Sequence, residues 1–182
     1  ELARSVQTGS QKQAAVLQEF GMVYRSTVKE LSDIEFTVLQ RYTGSWYESV
    51  NGRLASGSYA TDYRLQALSE IAQEAIRKLP KFDGKRTIYR NIQVDDMDKF
   101  LSRYTVGQVV EETRFTSTST NGAFGEGRNV KLVFRAHKSA RGVAHFSLHK
   151  NEREVLFAPG LRLRVKAIRR EGYTTIVEVE EA

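Results

Sequence analysis

The sequence has no cysteine, only two prolines, and three histidines, His137, His145 and His149. Without cysteine there is no disulfide framework, no thiol nucleophile and no thiolate metal site. Three histidines are too few to suggest a metal centre, so none is expected. No stretch approaches the roughly 18 apolar residues of a membrane-spanning helix, which excludes such a span. The 13 glycines and two prolines are too sparse for a disordered chain when 40% of the 182 residues are hydrophobic. No G-x-G-x-x-G follows a β-prone segment, so a Rossmann nucleotide site is not indicated. The chain starts at Glu1 without methionine or a leader pattern. It reads as a fragment or processed product whose targeting cannot be taken from this end.

What is present is an uneven charge. The net +6 hides a balanced stretch, residues 1–127, with 16 Lys/Arg and 16 Asp/Glu. Residues 128–170 then hold 12 basic and only two acidic residues, Glu152 and Glu154, and the last twelve residues hold four acids and no base. A basic block suits nucleic acid, an anionic surface or an acidic protein, and it equally suits a solvated strand face.

Periodicity divides the chain into helices first and strands afterwards, an α+β order with a helical part over residues 1–80 and a β-rich part over 81–182 of one domain. Leu17, Phe20, Tyr24, Val28 and Leu31 recur at helical spacing. Ser32 to Glu35 fits a capping box, and Ser45 to Glu48 repeats that signal after a break at Tyr42-Thr43-Gly44. Leu65, Leu68, Ala72, Ala75 and Leu79 form another stripe, stopped by Pro80, with a loop at Ser56-Gly57-Ser58 before it. Strands are expected at 86–90, 114–119, 130–136, 143–148, 154–158, 161–168 and 173–180, with a short helix over 95–104.

Three local features could carry chemistry. Tyr89-Arg90 ends a short strand, and an arginine there can grip phosphate or simply sit at the surface. Thr116-Ser117-Thr118-Ser119 is either an edge strand with hydroxyl pairs or the wall of a polar cleft. Glu152-Arg153-Glu154 precedes an apolar run, and on a strand the two carboxylates would share a face. Like charges so placed repel without a partner, although an exposed hairpin end would tolerate them.

In this order the three features resemble the R-S-E class of ADP-ribosyltransferases, a group that includes bacterial toxins, secreted effectors and vertebrate ecto-enzymes. Tyr42-Thr43-Gly44, Tyr47, Asn51 and Leu54 are similar to the family's helical segment, and the resemblance covers most of the chain. Asn91 departs from it, standing where many members carry glycine. The resemblance implies helices packed on a mixed two-sheet β-sandwich. It also implies transfer of ADP-ribose from NAD to a protein side chain with no metal, nicotinamide being released. By the same resemblance Glu154 is the catalytic glutamate, Ser117 holds it, and Glu152 activates the acceptor, a glutamate there going with arginine. Arg90, Tyr89, Thr118, Ser119, Phe124, Asn51 and Tyr42 are the implied NAD-binding residues. Phe124 and Tyr42 can equally be packing residues.

The function expected is therefore arginine mono-ADP-ribosylation by a secreted or delivered effector acting in a target-cell cytoplasm. The expected partners are a target protein and an acidic immunity or inhibitor protein meeting the basic rim around Glu152. An NAD glycohydrolase on the same fold, or a basic nucleic-acid-binding or RNA-modifying module, are the alternatives. The nucleic-acid reading predicts steeply salt-dependent binding and leaves both glutamates unexplained.

Overall fold

The computed structural model describes residues 9–57 and 62–182. The chain forms two compact units: one runs to Leu79 and includes Phe146–Leu148, and the other comprises Pro80–His145 and His149–Ala182.

The first unit is helical, with α1 (Gly9–Phe20), α2 (Asp33–Arg41), α3 (Tyr47–Ser56) and α4 (Tyr63–Lys78). The stripe from Leu17 to Leu31 is not one helix. Gly21 takes a left-handed φ of 73° and its N–H closes on Leu17 O, which ends α1. Tyr24, Val28 and Leu31 instead lie in a loop strapped to α2, where Tyr24 N–H donates to Thr37 Oγ1 at 2.8 Å and Ser26 N–H to Asp33 Oδ1 at 2.8 Å. Their helical spacing is coincidental.

The Ser32–Glu35 capping box is formed in full and starts α2. The second expected box is absent. A kinked turn, Tyr42–Trp46, leads directly into α3, whose N-cap is Trp46 with no side-chain cap. Gly44 inside that turn breaks from helical dihedrals. α4 buries Leu65, Leu68, Ala72 and Ala75 as the stripe requires, and Asp62 caps its start. It stops at Leu79, held extended ahead of Pro80. α3 ends at Gly57; Ser58 of the expected loop lies outside the described residues.

The second unit is an eight-stranded mixed sheet with short helix α5 (Met97–Arg103). Its strands are β1 (Ile88–Ile92), β2 (Val109–Glu112), β3 (Thr116–Ser119), β4 (Val130–Ala136), β5 (Arg141–Gly142), β6 (Glu154–Phe157), β7 (Leu161–Glu171) and β8 (Thr174–Glu181). They are ordered β2-β7-β8-β4-β1-β3-β6-β5, with only β4 and β8 parallel.

The two sheets expected are thus one continuous ladder, for a specific reason. β1 pairs with β4 along five residues but meets β3 only at Tyr89↔Ser119. That single pairing joins two halves whose inner faces share a core, with Phe134 of β4 and Phe157 of β6 stacked at 5.5 Å. β7 alternates buried Leu161, Leu163 and Val165 with exposed Arg162, Arg164 and Lys166, as its sequence requires.

Two strand assignments change. β2 was not marked by the sequence pattern. Residues 143–148 are not a strand: only Arg141–Gly142 pairs with β6, and Phe146–Leu148 joins the helical unit, where the Phe146 ring lies 5.9 Å from Phe36.

The basic block is partly neutralised within its own sheet. Glu178 pairs with Arg135 at 2.8 Å and Arg169 at 2.7 Å, and Glu180 pairs with Lys166 at 3.1 Å. The acidic last residues therefore sit among the strands they offset, which weakens the nucleic-acid reading.

Candidate active site

β3 and β6 pair antiparallel with Ser117 opposite Leu156 and Ser119 opposite Glu154. Directly paired residues project to the same face, so Ser117, Ser119 and Glu154 share one side of the sheet. Thr116, Thr118, Val155 and Phe157 take the other, and all four are buried.

Ser117 Oγ donates to Glu154 Oε1 at 2.7 Å. Glu154 is only 4% exposed, and its Oε2 is buried with no hydrogen-bond partner among the described residues. A buried carboxylate oxygen left in this way is costly unless something else supplies a donor.

Burial pushes the Glu154 carboxyl up to about 7. The Ser117 hydrogen bond opposes this, the nearby Glu152 charge adds to it, and Arg90 partly offsets it. Two carboxylates in mutual influence, one buried and one half-exposed, is an arrangement suited to dividing roles between them.

Glu152 does not lie on the strand. It ends a short 3₁₀ turn, Lys150–Glu152, and Arg153 between the two glutamates takes a left-handed backbone with φ 47°. The juxtaposition thus comes from a tight turn rather than from strand alternation. Ser119 fixes this turn: its hydroxyl donates to the Glu152 carbonyl and accepts from Asn121 N–H at 2.9 Å. Thr118, facing the core, donates to Val155 O at 2.7 Å.

Arg90 projects where β1 and β3 part, and its Nη1 donates to Ser117 O at 2.9 Å. It also lines a cavity of about 180 Å³ with Phe100, Arg103, Tyr104, Glu112 and Arg114. Below it Tyr104 donates to Glu112, and burial pushes the Tyr104 phenol upward, so it stays a donor. Tyr89 packs on the opposite face of β1, with Lys131 Nζ 5.2 Å from its ring centre.

Asn91, marked in the sequence only as a departure from the family pattern, has a structural role that the sequence did not show. Its side-chain amide donates to Gly122 O at 3.3 Å and Phe124 O at 2.6 Å, so it holds the glycine-rich loop after β3. Its departure from the family's glycine was the available signal. Phe124 at the loop tip is 42% exposed. Tyr42 and Asn51 belong to the helical unit, where Asn51 Nδ2 donates to the buried Tyr42 hydroxyl at 3.0 Å.

The raised Glu154 carboxyl has a stability consequence. Between its ordinary value of 4.5 and about 7, the folded protein holds a proton that the unfolded chain has released. Stability therefore falls as pH rises through that window, and the cost, on the order of 3 kcal/mol, is fully present above it. Glu154→Gln removes the titrating charge. It should raise Tm by about 5 °C at pH 8 and hardly at all at pH 4.5, as read by calorimetry. A variant less stable than wild type at pH 8 would contradict the buried-charge account.

Residues 6–182 match the family model described as NAD:arginine ADP-ribosyltransferase. Two curated proteins are similar, both named as NAD(+)–arginine ADP-ribosyltransferases. Mav of Mycobacterium avium (strain 104) is 31% identical over 156 residues, 83% of this chain and 18% of that protein. Vis of Vibrio splendidus (strain 12B01) is 31% identical over 120 residues, 59% of this chain and 47% of that protein. The chain thus spans less than half the length of either relative. Among solved structures, Exoenzyme S from Pseudomonas aeruginosa, determined with human 14-3-3 protein beta and carba-NAD, superposes with a TM-score of 0.78 at 21% identity, covering 94% of this chain and 88% of that one. Vis in complex with agmatine gives 0.68 at 23% identity, covering 97% and 86%.

Proposed function

The chain belongs to the NAD:arginine ADP-ribosyltransferase family, and from that premise we propose that it transfers ADP-ribose from NAD to an arginine of a target protein, releasing nicotinamide. The observation that carries the reading is the Glu154 carboxylate, with one oxygen held by Ser117 and the other buried and unpartnered.

The bond to be broken joins ribose C1′ to a cationic pyridinium nitrogen. Its electron pair returns to the ring and nicotinamide leaves neutral, so no general acid is required, unlike O-glycoside cleavage. What must be supplied is negative charge beside the ribosyl cation as it forms. Glu154 supplies it, and its unpartnered oxygen accepts from a ribose hydroxyl. Ser117 keeps the carboxylate in one orientation. Glu152, on its turn, receives the guanidinium of the acceptor; as the nitrogen bonds to C1′, its proton passes to the Glu152 carboxylate and then to water.

Arg90 binds the diphosphate, with Tyr89, Thr118, Ser119 and Phe124 completing the NAD-binding set of this unit directly or by holding its walls. The protein works as a delivered effector on a partner whose acidic surface meets the basic rim around Glu152. Among the described residues no helix is long and apolar enough to cross a membrane.

Arg90→Ala should raise the KM for NAD about 10- to 100-fold, the loss of charge-assisted contacts to phosphate, with a smaller change in kcat. An unchanged KM removes Arg90 from the diphosphate. The reading as a whole is tested with labelled NAD and a cell lysate. Label on protein, mapped to arginine by mass spectrometry, supports it. Nicotinamide release with no labelled macromolecule would make the protein a glycohydrolase.

A further inference from the structure

We infer that the kinked turn Tyr42–Trp46 is a clamp on the chain that leads into the Glu152 turn, which makes Thr43 and Gly44 positioning residues for transfer to the acceptor. The inference rests on the role given to Glu152 above. It comes from four observations in the helical unit and one feature of the chain.

Thr43 is 5% exposed and its hydroxyl is used twice, donating to Gln40 O at 2.7 Å and accepting from Leu148 N–H at 3.2 Å. Thr43 and Leu148 are 105 residues apart in sequence. This bond therefore pins a distant segment onto the turn.

Gly44 is the second contact. A β-carbon built there would stand 2.8 Å from Leu148 Cδ1, so the leucine side chain lies directly over the glycine backbone. The third is Phe146, 4% exposed, whose ring meets Phe36 of α2 at 5.9 Å. Ser147 between them is 2% exposed. Residues 146–148 are thus held at backbone, side chain and ring, although they form no helix or strand.

The fourth observation is the kink itself. Gly44, at φ −91° and ψ −130°, leaves helical dihedrals between two helices, and such a sharp kink has an identifiable local cause. Here it breaks the helical path between α2 and α3 at Gly44 and turns the Thr43 hydroxyl toward Leu148.

The feature of the chain is proximity in sequence. Leu148 is followed at once by His149, which accepts from Glu152 N–H at 3.1 Å, and by Lys150, which accepts from Arg153 N–H at 3.2 Å. The turn carrying Glu152 is short and has one left-handed residue. Ser119 and β6 fix its far end. Its near end follows directly on Leu148, so the anchor at 146–148 sets where it starts. A positioned acceptor group loses rate steeply with small displacement, whereas Glu154, fixed by β6 and Ser117, does not depend on that anchor.

The test compares Thr43→Val with Thr43→Ser. Valine keeps the shape and removes both hydrogen bonds; serine keeps the hydroxyl. Each variant is assayed for NAD hydrolysis and for transfer to agmatine as a guanidinium acceptor, with melting measured beside it.

The clamp predicts that Thr43→Val lowers transfer about tenfold, mainly in kcat, while hydrolysis stays within about twofold. Thr43→Ser should retain both activities. Amide exchange at Glu152 and Arg153 should also quicken about tenfold in Thr43→Val, because their turn loses its fixed start.

A Thr43→Val protein with wild-type transfer and unchanged exchange at these amides overturns the clamp. So does a parallel loss of both activities that tracks a fall in Tm, which marks a purely structural residue. A wild-type protein without any action on NAD strikes the functional reading instead, and the exchange measurement then still decides the clamp.

Discussion

Glu154→Gln is expected to lower ADP-ribosyl transfer and NAD hydrolysis together, by about 10³-fold, while leaving the fold intact. The two losses are coupled because both reactions pass through the same ribosyl cation, and the negative charge beside it is what the substitution removes. Glutamine keeps the shape and the hydrogen bond to Ser117, so the loss reports charge rather than packing. NAD binding should change little, since the charge matters most once the cation develops. If Glu154→Gln retains a tenth or more of wild-type hydrolysis, Glu154 is not the group that stabilises the cation.

The same carboxylate sets the pH dependence. Burial holds it near 7 in the free protein, and only its ionised form stabilises a cation. The kcat/KM for NAD should therefore rise with pH and level off above about 7. Bound NAD brings the positive pyridinium close to Glu154 and favours the ionised form. The kcat profile should then level off at lower pH than kcat/KM. With the role proposed for Glu154, stability and activity should trade off in one pH range: the charge that destabilises the fold above about 7 would be the charge that the reaction needs.

The approach of Ser117 to Glu154 is legible in the sequence because both lie on short strands whose alternation is plain, whereas Arg90, expected at a strand end, stands in the middle of β1. Strand period fixes which face a side chain takes, and the order of the three segments fixes which strands can meet. The halves of the β-rich unit are legible for the same reason, with alternating Leu161, Leu163 and Val165 the clearest case. Features set by tertiary contact are not legible. The spacing of Tyr24, Val28 and Leu31 imitates a helix, and only the left-handed Gly21 ends it. Residues 143–148 have strand composition, yet Phe146 finds its partner in Phe36. Asn91 carries no local pattern, because its two acceptors lie in a loop about 30 residues ahead. The pairing of Glu152 with Glu154 was expected from strand alternation and arises instead from the left-handed Arg153.

That turn makes Glu152 separable from Glu154, and Glu152→Ala should divide the two activities. Transfer to arginine is expected to fall at least about 10²-fold, the loss of a base that orients and deprotonates the guanidinium. NAD hydrolysis should fall far less, because water needs no such orientation and Glu154 still faces the ribosyl cation. The substitution has a second, independent signature. The Glu152 charge helps hold the Glu154 carboxyl high, so its removal should move the pH at which hydrolysis levels off to a lower value. A purely steric role for Glu152 would lower transfer without moving that inflection. Equal losses of transfer and hydrolysis in Glu152→Ala would place Glu152 with Glu154 in the first step, and the acceptor would then have to be activated elsewhere.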